Sequence, residues 1–272
     1  YSPFLKIACT MKFFFWNINK HDLSDLIVSF ILTENVDVAI FAEASKMDFA
    51  SLQIKLNGKY RLLGFNEFPG KVRFLVKSNI RAFEFMDAQR YSIGTFSLGS
   101  SLINIVGVHL PDRSSDPYGS GREYAAREIM EELNERELRF EHTSNVIIGD
   151  FNASPFDHEM IKATSFNATL YSEVACRLKT KTYSFHQFPF MYNPTIEFIS
   201  EANDNCGSFY RSNGADTYYW HCYDQAIVSP DLSKKILRYR YLRSIGNTSL
   251  IANNSPNKAL SDHLPLFIAI GE

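Results

Sequence analysis

Five short polar islands, each beside an apolar strand-like run, carry the residues of this sequence best equipped for chemistry. In chain order they are Asn17 after Phe14-Phe15-Trp16, Glu43 after Ile40-Phe41-Ala42, and His109 after Gly107-Val108. Asp150 and Asn152 follow in Ile148-Gly149-Asp150-Phe151-Asn152, and Asp262 and His263 stand in Ser261-Asp262-His263-Leu264-Pro265. Oxygen and imidazole groups delivered to one rim of a buried sheet suit a hard divalent cation and the activation of water. A carboxylate at the tip of an apolar strand is costly unless it is paired or bound to a cation. Four islands follow their run and the fifth precedes it, as expected if the last strand leaves the rim that the others approach. Each island alone has an ordinary reading: a buried amide for Asn17, a turn for Gly149-Asp150, a cap or ion pair for Asp262-His263. Together, in this arrangement, they point to one site.

The elements that must position them can be read from the hydrophobic pattern. Residues 12–17 and 37–42 are near-continuous apolar runs expected of buried strands, and 22–34 carries a helical stripe between them. That strand–helix–strand unit makes the two strands parallel. A second helix is expected near 46–57. Short β-branched or aromatic segments at 60–66, 72–78, 80–88, 91–98 and 102–110 read as an antiparallel meander. A long amphipathic helix follows over 121–140, then strands at 145–149, 223–228, 236–243 and 264–270. Residues 166–222 mix aromatics with polar turns and read as loops around a site. The aromatic stretch 183–192 would suit a small nucleotide, a lipid headgroup or a single-stranded base. No internal repeat is present.

The bulk numbers narrow the classes. A chain of 272 residues with 45% hydrophobic and 14% aromatic content supports one sizeable core and excludes disorder. Residues 1–10 read as an appendage and 11–272 as one layered α/β domain. A formal net charge of −2 gives no support for a wholly basic nucleic-acid face, without excluding a local patch. Cys9, Cys176, Cys206 and Cys222 form no zinc-type spacing and read as reduced thiols, which favours a cytoplasmic location. No segment has the roughly 20 apolar residues of a membrane span, and nothing bears on oligomeric state. His21, His142, His158 and His186 lie in polar contexts and read as surface histidines. Arg238 and Arg240 would share one side of a strand, more simply a solvated face than a phosphate-binding patch. Arg113, in the loop after His109, is the best placed of the nearby arginines to touch substrate phosphate.

These motifs, in this order and across essentially the whole chain, resemble the endonuclease/exonuclease/phosphatase superfamily of metal-dependent phosphoesterases. Tyr223-Asp224-Gln225-Ala226-Ile227-Val228 resembles the family strand whose Asp supports the last His. The resemblance implies a four-layer α/β sandwich with two packed, mostly antiparallel mixed sheets flanked by helices. It implies Mg²⁺, with Mn²⁺ as a substitute, held by Glu43 with Asn17 and, directly or through water, Asp262. Asp150 would orient or deprotonate the attacking water, Asn152 would hold a phosphoryl oxygen, and His263 would stabilise charge or act as base, fixed by Asp224. His109 would protonate the leaving oxygen. Asn19 stands where abasic-site endonucleases of the family carry Asp, which weakens that specificity. The extended Asp motif of inositol phosphatases is missing. The resulting expectation is a Mg²⁺-dependent nuclease acting on DNA or RNA. The alternatives are an esterase for a small nucleotide or lipid headgroup, or an inactive binding module.

Overall fold

The structure, a computed structural model, describes residues 10–64, 72–99, 101–141, 143–213 and 217–271. His142, Cys9 and the rest of residues 1–9 lie outside the described residues. Its first half runs β1 (Thr10–Asn17), α1 (Ser24–Glu34), β2 (Val38–Ala42), α2 (Phe49–Lys55), β3 (Tyr60–Leu63), β4 (Val72–Lys77), β5 (Ala82–Asp87), β6 (Tyr91–Leu98) and β7 (Ser101–His109). Then come α3 (Ser120–Phe140), β8 (Thr143–Asp150), α4 (His158–Ile161), β9 (Ala168–Thr169), α5 (Ser172–Leu178), β10 (Thr180–Tyr183), β11 (His186–Pro189) and β12 (Met191–Tyr192). The last part comprises α6 (Thr195–Phe198), β13 (Phe209–Tyr210), β14 (Trp220–His221), β15 (Asp224–Val228) and β16 (Ile236–Tyr241). Two short hairpins, β17 (Ser244–Ile245) with β18 (Thr248–Ser249) and β19 (Ile251–Ala252) with β20 (Ser255–Pro256), precede β21 (Leu266–Gly271). Thr10 already pairs with Gly271, so the strand begins one residue inside the expected appendage.

Two mixed sheets pack face to face, one in the order β16-β21-β1-β2-β4-β3 and the other β5-β6-β7-β8-β15-β12-β9. β1 and β2 are parallel, as the strand–helix–strand pattern requires. The expected meander is not one unit: β3 and β4 join the first sheet beside β2, whereas β5, β6 and β7 open the second. β7 then pairs in parallel with β8, with α3 as the crossover.

Alternation along the strands builds the layers. Ile103, Ile105, Val146 and Ile148 belong to the core shared with the first sheet, whereas Val106, Val108 and Ile147 face Ala125, Ile129 and Leu133 of α3. On the far side of the first sheet, Phe30 of α1 packs against Phe14 and Phe267, with ring centroids 4.9 and 5.6 Å apart. Helices therefore cover both outer faces, giving four layers.

Two glycines bring together the strand ends that carry the polar islands. A Cβ on Gly107 would lie 2.7–2.8 Å from Phe74, Ile40 and Val72, so its absence lets the sheets approach. At Gly149 (φ +156°) a Cβ would fall 2.1 Å from the Val108 carbonyl oxygen. Gly149→Ala should therefore destabilise the fold by about 3 kcal/mol or more, read as a lower denaturation midpoint in urea with an unchanged slope. A midpoint equal to wild type would show that β7 and β8 separate at little cost.

The stretch 166–222 carries more regular structure than its sequence pattern suggested. β10 and β11 form a hairpin with an exposed tip at Phe185. It sits near Val228, the end of β15 remote from Asp224, beside the C-terminal part of α3. The aromatic stretch thus lies away from the polar islands, and a substrate-facing role for it is withdrawn. Arg238 and Arg240 both pair with Glu34 of α1, at 3.6 and 3.0 Å, as a strand face shared with a helix end.

Candidate active site

Strand register does the positioning. His109 stands opposite Asp150 across β7 and β8, and Asp150 opposite Asp224 across β8 and β15, so three strands contribute one row. In the facing sheet Asn17 stands opposite Ala42, which places Glu43 one residue beyond the strand end. β21 pairs antiparallel to β1 with Leu266 opposite Phe15, bringing the preceding Ser261–Leu264 segment to the same rim.

The Asn17 amide joins the two sheets, its Nδ2 donating to Asp150 Oδ2 at 3.1 Å and Glu43 Oε1 at 3.3 Å. Asn17 Oδ1 in turn accepts the Asn19 N–H at 3.1 Å. His109 Nε2 lies 3.7 Å from Glu43 Oε1 and 3.9 Å from Asp150 Oδ2. His263 Nε2 approaches Asp150 Oδ2 from another side, also at 3.9 Å. Asp150 Oδ1 accepts the Asn152 N–H at 2.9 Å, and the Asn152 amide is anchored on the Leu110 carbonyl at 3.0 Å. Glu43 and Asn152 both hold left-handed backbone conformations, with φ of 51° and 49°. Such conformations cost about 1 kcal/mol or more each for residues with a Cβ and concentrate at functional sites.

His263 is held from every direction. Its Nδ1 is 2.7 Å from Asp224 Oδ2, its N–H donates to Ser261 Oγ, and its carbonyl accepts the Trp16 indole N–H at 2.9 Å. Phe209 packs on the ring at 4.9 Å, and Ser208 links the neighbouring segments through the Asp224 and Leu264 amides. The 2.7 Å contact between Nδ1 and the Asp224 carboxyl fixes the ring and leaves Nε2 toward the cavity. Burial pushes the imidazole pKa down, but the carboxylates of Asp224 and Asp150 outweigh it and raise it to about 10. Burial and the like charge of Asp224 push the Asp150 carboxyl upward, while His263 and His109 pull it back.

Asn17, Glu43, His109, Asp150, Asn152 and His263 line one wall of a cavity of about 990 Å³. Asp224 stands behind His263, whereas Asp262, expected as a metal ligand, is half-buried outside the lining and acts on His263 through its charge. Arg113 pairs with Asp157 and lies 5.5 Å from the Tyr223 ring centre. It faces an adjoining trough of about 680 Å³ that meets the main cavity at Asp112, Asn152 and Phe209.

Asp150, Asp224 and His263 present ligand atoms within 4.8 Å of one another. In that buried trio only Asp224 and His263 are hydrogen-bonded, with Asp150 3.9 Å from His263, and its burial suits poorly the waters that Mg²⁺ retains. Glu43 and Asp150 fit a hard cation better: two carboxylate oxygens converge on one amide and one imidazole at the edge of an open cavity. Sequence reasoning missed the opposite wall, which includes Met47, Phe49, Leu62 and Arg73. Arg73, a cation within the apolar run Val72-Arg73-Phe74-Leu75-Val76, was the available signal. It also missed Ser208 and Ser261, whose role depends on contacts distant in sequence.

No protein-family model and no curated protein matches the sequence. Solved structures match along nearly the whole length. A truncated TDP2 from Caenorhabditis elegans is 13% identical over 97% of this chain and 98% of its own, with a TM-score of 0.62. The human Nocturnin catalytic domain, solved with bound sulfate, is 15% identical over 98% and 96%, with a TM-score of 0.59. An endonuclease/exonuclease/phosphatase family protein from Bacteroides thetaiotaomicron is 14% identical over 97% and 98%, with a TM-score of 0.61. The chain therefore has the four-layer fold of the endonuclease/exonuclease/phosphatase superfamily.

Proposed function

We propose that this fold carries a metal-dependent phosphodiester hydrolase, and that its substrate is nucleic acid. The observation that carries the reading is the convergence of Asn17, Glu43, His109, Asp150 and His263 on one cavity wall, with Asp224 behind. A D. rerio TDP2 structure of the same fold contains a single strand DNA product, which supports a polynucleotide as substrate. A reducing, cytoplasmic compartment is proposed from the cysteine pattern of the sequence alone.

Glu43, with Asn17 and Asp150 beside it, would hold a divalent cation, Mg²⁺ by the hardness of the donors. Such an ion, when bound, neutralises phosphate charge and makes water a stronger acid. Asp150 Oδ2 is the acceptor best placed to orient a water and take its proton, since Asn17, His109 and His263 surround it. His263, whose pKa the Asp224 and Asp150 carboxyls raise, would stabilise charge on a non-bridging phosphoryl oxygen. His109 lies across the wall and is the donor for the departing alkoxide. Asn152 orients Asp150 through its backbone amide. Arg113 would contact a phosphate further along the strand, and Asp262 would support the site electrostatically.

The test is incubation of supercoiled plasmid, single-stranded DNA and RNA with Mg²⁺, with Mn²⁺ and with EDTA. Cleavage that requires the metal and disappears in Glu43→Ala supports the nuclease. Metal-dependent turnover restricted to small phosphodiesters would replace nucleic acid as the substrate. No metal-dependent turnover of any ester would overturn the hydrolase itself.

A further inference from the structure

The cavity is larger than a hydrated cation and one phosphate require, because each water occupies only about 30 Å³ of liquid volume. Its second wall has a different chemistry from the first. Met47 is buried, Phe49 is half-buried on the core and lies 6.1 Å from Phe41, and Leu62 of β3 is half-exposed. On the same wall Arg73 projects from β4. Its Nη1 reaches the Gly64 carbonyl at 3.4 Å, and among the described residues no carboxylate pairs with it. A half-buried guanidinium facing a cavity needs an anion, and its planar fork suits phosphate. An apolar aromatic wall with a cation at its edge is suited to a flat heterocycle attached to a second phosphate.

Building on the phosphodiesterase reading, we infer that the Met47–Phe49–Leu62 wall binds the unpaired base of the nucleotide next to the scissile phosphate, with Arg73 on that nucleotide's other phosphate. Placing a base there removes it from a duplex stack, so the preferred substrate is a single strand or a frayed end. Stacking of a base on an aromatic side chain is worth roughly 5–150-fold in affinity. Phe49 and Arg73 are thereby assigned as specificity-determining residues.

The test uses p-nitrophenyl phosphodiesters and Mg²⁺. The second substituent is methyl, thymidine linked through O5′ or O3′, or the same thymidine carrying a phosphate on its other hydroxyl. In wild type the base should raise kcat/KM by about tenfold over the methyl ester, through KM, and the added phosphate should raise it about fivefold more, for one of the two linkages. Phe49→Leu, which keeps the packing and loses the flat face, should shrink the base increment. Arg73→Gln should erase the phosphate increment. Increments below twofold in wild type, or unaltered in the variants, would overturn the assignment.

Failure of the hydrolase reading would appear separately, as no metal-dependent turnover even of the methyl ester. The subsite would then be judged by calorimetric binding of thymidine 3′,5′-bisphosphate against thymidine. Tighter binding of the bisphosphate that is lost in Arg73→Gln supports the site, and equal binding in both proteins overturns it.

Discussion

Replacing Asp150 by Asn is expected to lower kcat by about 10³-fold or more, while the thermal midpoint stays within about 3 °C of wild type. The two halves of this expectation have different causes. Catalysis would lose a buried carboxylate oxygen that faces Asn17, His109 and His263 together. Stability loses little, because an amide at this position still accepts the Asn152 N–H now held at 2.9 Å. The ionised carboxylate is also a burden on the fold, since burial and the Asp224 charge raise its pKa. A group whose folded-state pKa is raised favours folding only when protonated, so at neutral pH this carboxylate opposes it. Part of that burden is offset by His263, which explains a small change rather than a large gain. Added Mg²⁺ should raise the wild-type midpoint, as any ligand selective for the folded state does, and raise the variant's less. Turnover above a tenth of wild type would remove Asp150 from the centre of the mechanism. A collapse of the midpoint would make it a structural residue instead.

Asp224→Asn should reduce kcat by about 10²- to 10⁴-fold although Asp224 touches no substrate. The 2.7 Å contact between Asp224 Oδ2 and His263 Nδ1 fixes the ring and keeps its charge. Without it, burial, which already works against protonation, meets opposition chiefly from Asp150. The sign in the wild type follows from the raised pKa of His263. Its contribution to stability is complete below its ordinary value of 6.5 and is lost as pH rises through about 10. Wild-type stability should accordingly decline between those values, and that part of the slope should be absent from Asp224→Asn. The alkaline limb of kcat/KM should also move to lower pH in the variant. An unaltered pH profile alongside reduced kcat would reduce Asp224 to an orienting role without charge.

Much of the site was legible because physical cost is local. Asn17, Glu43, His109 and Asp150 each end a run of buried apolar residues, where a polar group demands a partner. Their assembly depends on parallel pairing that the helical segments 24–34 and 120–140 announce. Partner choice between sheets was not legible. Ser78-Asn79 reads as an ordinary turn, yet the chain changes sheets there, because β4 is paired on both sides by β2 and β3. Asp262 and His263 are adjacent in sequence, yet His263 is held over the cavity by contacts that the local sequence does not announce: the Trp16 indole 247 residues away and Asp224 39 residues away, with Ser261 beside it tied to the Asn17 carbonyl. The aromatic wall at Met47, Phe49 and Leu62 looked like ordinary core, since half-buried and buried hydrophobics have the same sequence signature. The hairpin around Phe185 was misplaced for the opposite reason: its composition suggests recognition, but β12 ties it to the far end of β15.

The row formed by His109, Asp150 and Asp224 has a consequence for how such a protein can vary over descent. Because side chains alternate along a strand, one codon inserted or deleted within β7, β8 or β15 would turn its member of the row to the other face. Connections outside the sheets carry no such parity and can lengthen freely. The inheritance of the site is therefore a matter of counting residues within three strands, which allows most letters of the sequence to be rewritten while the reading frame of the sheet is kept.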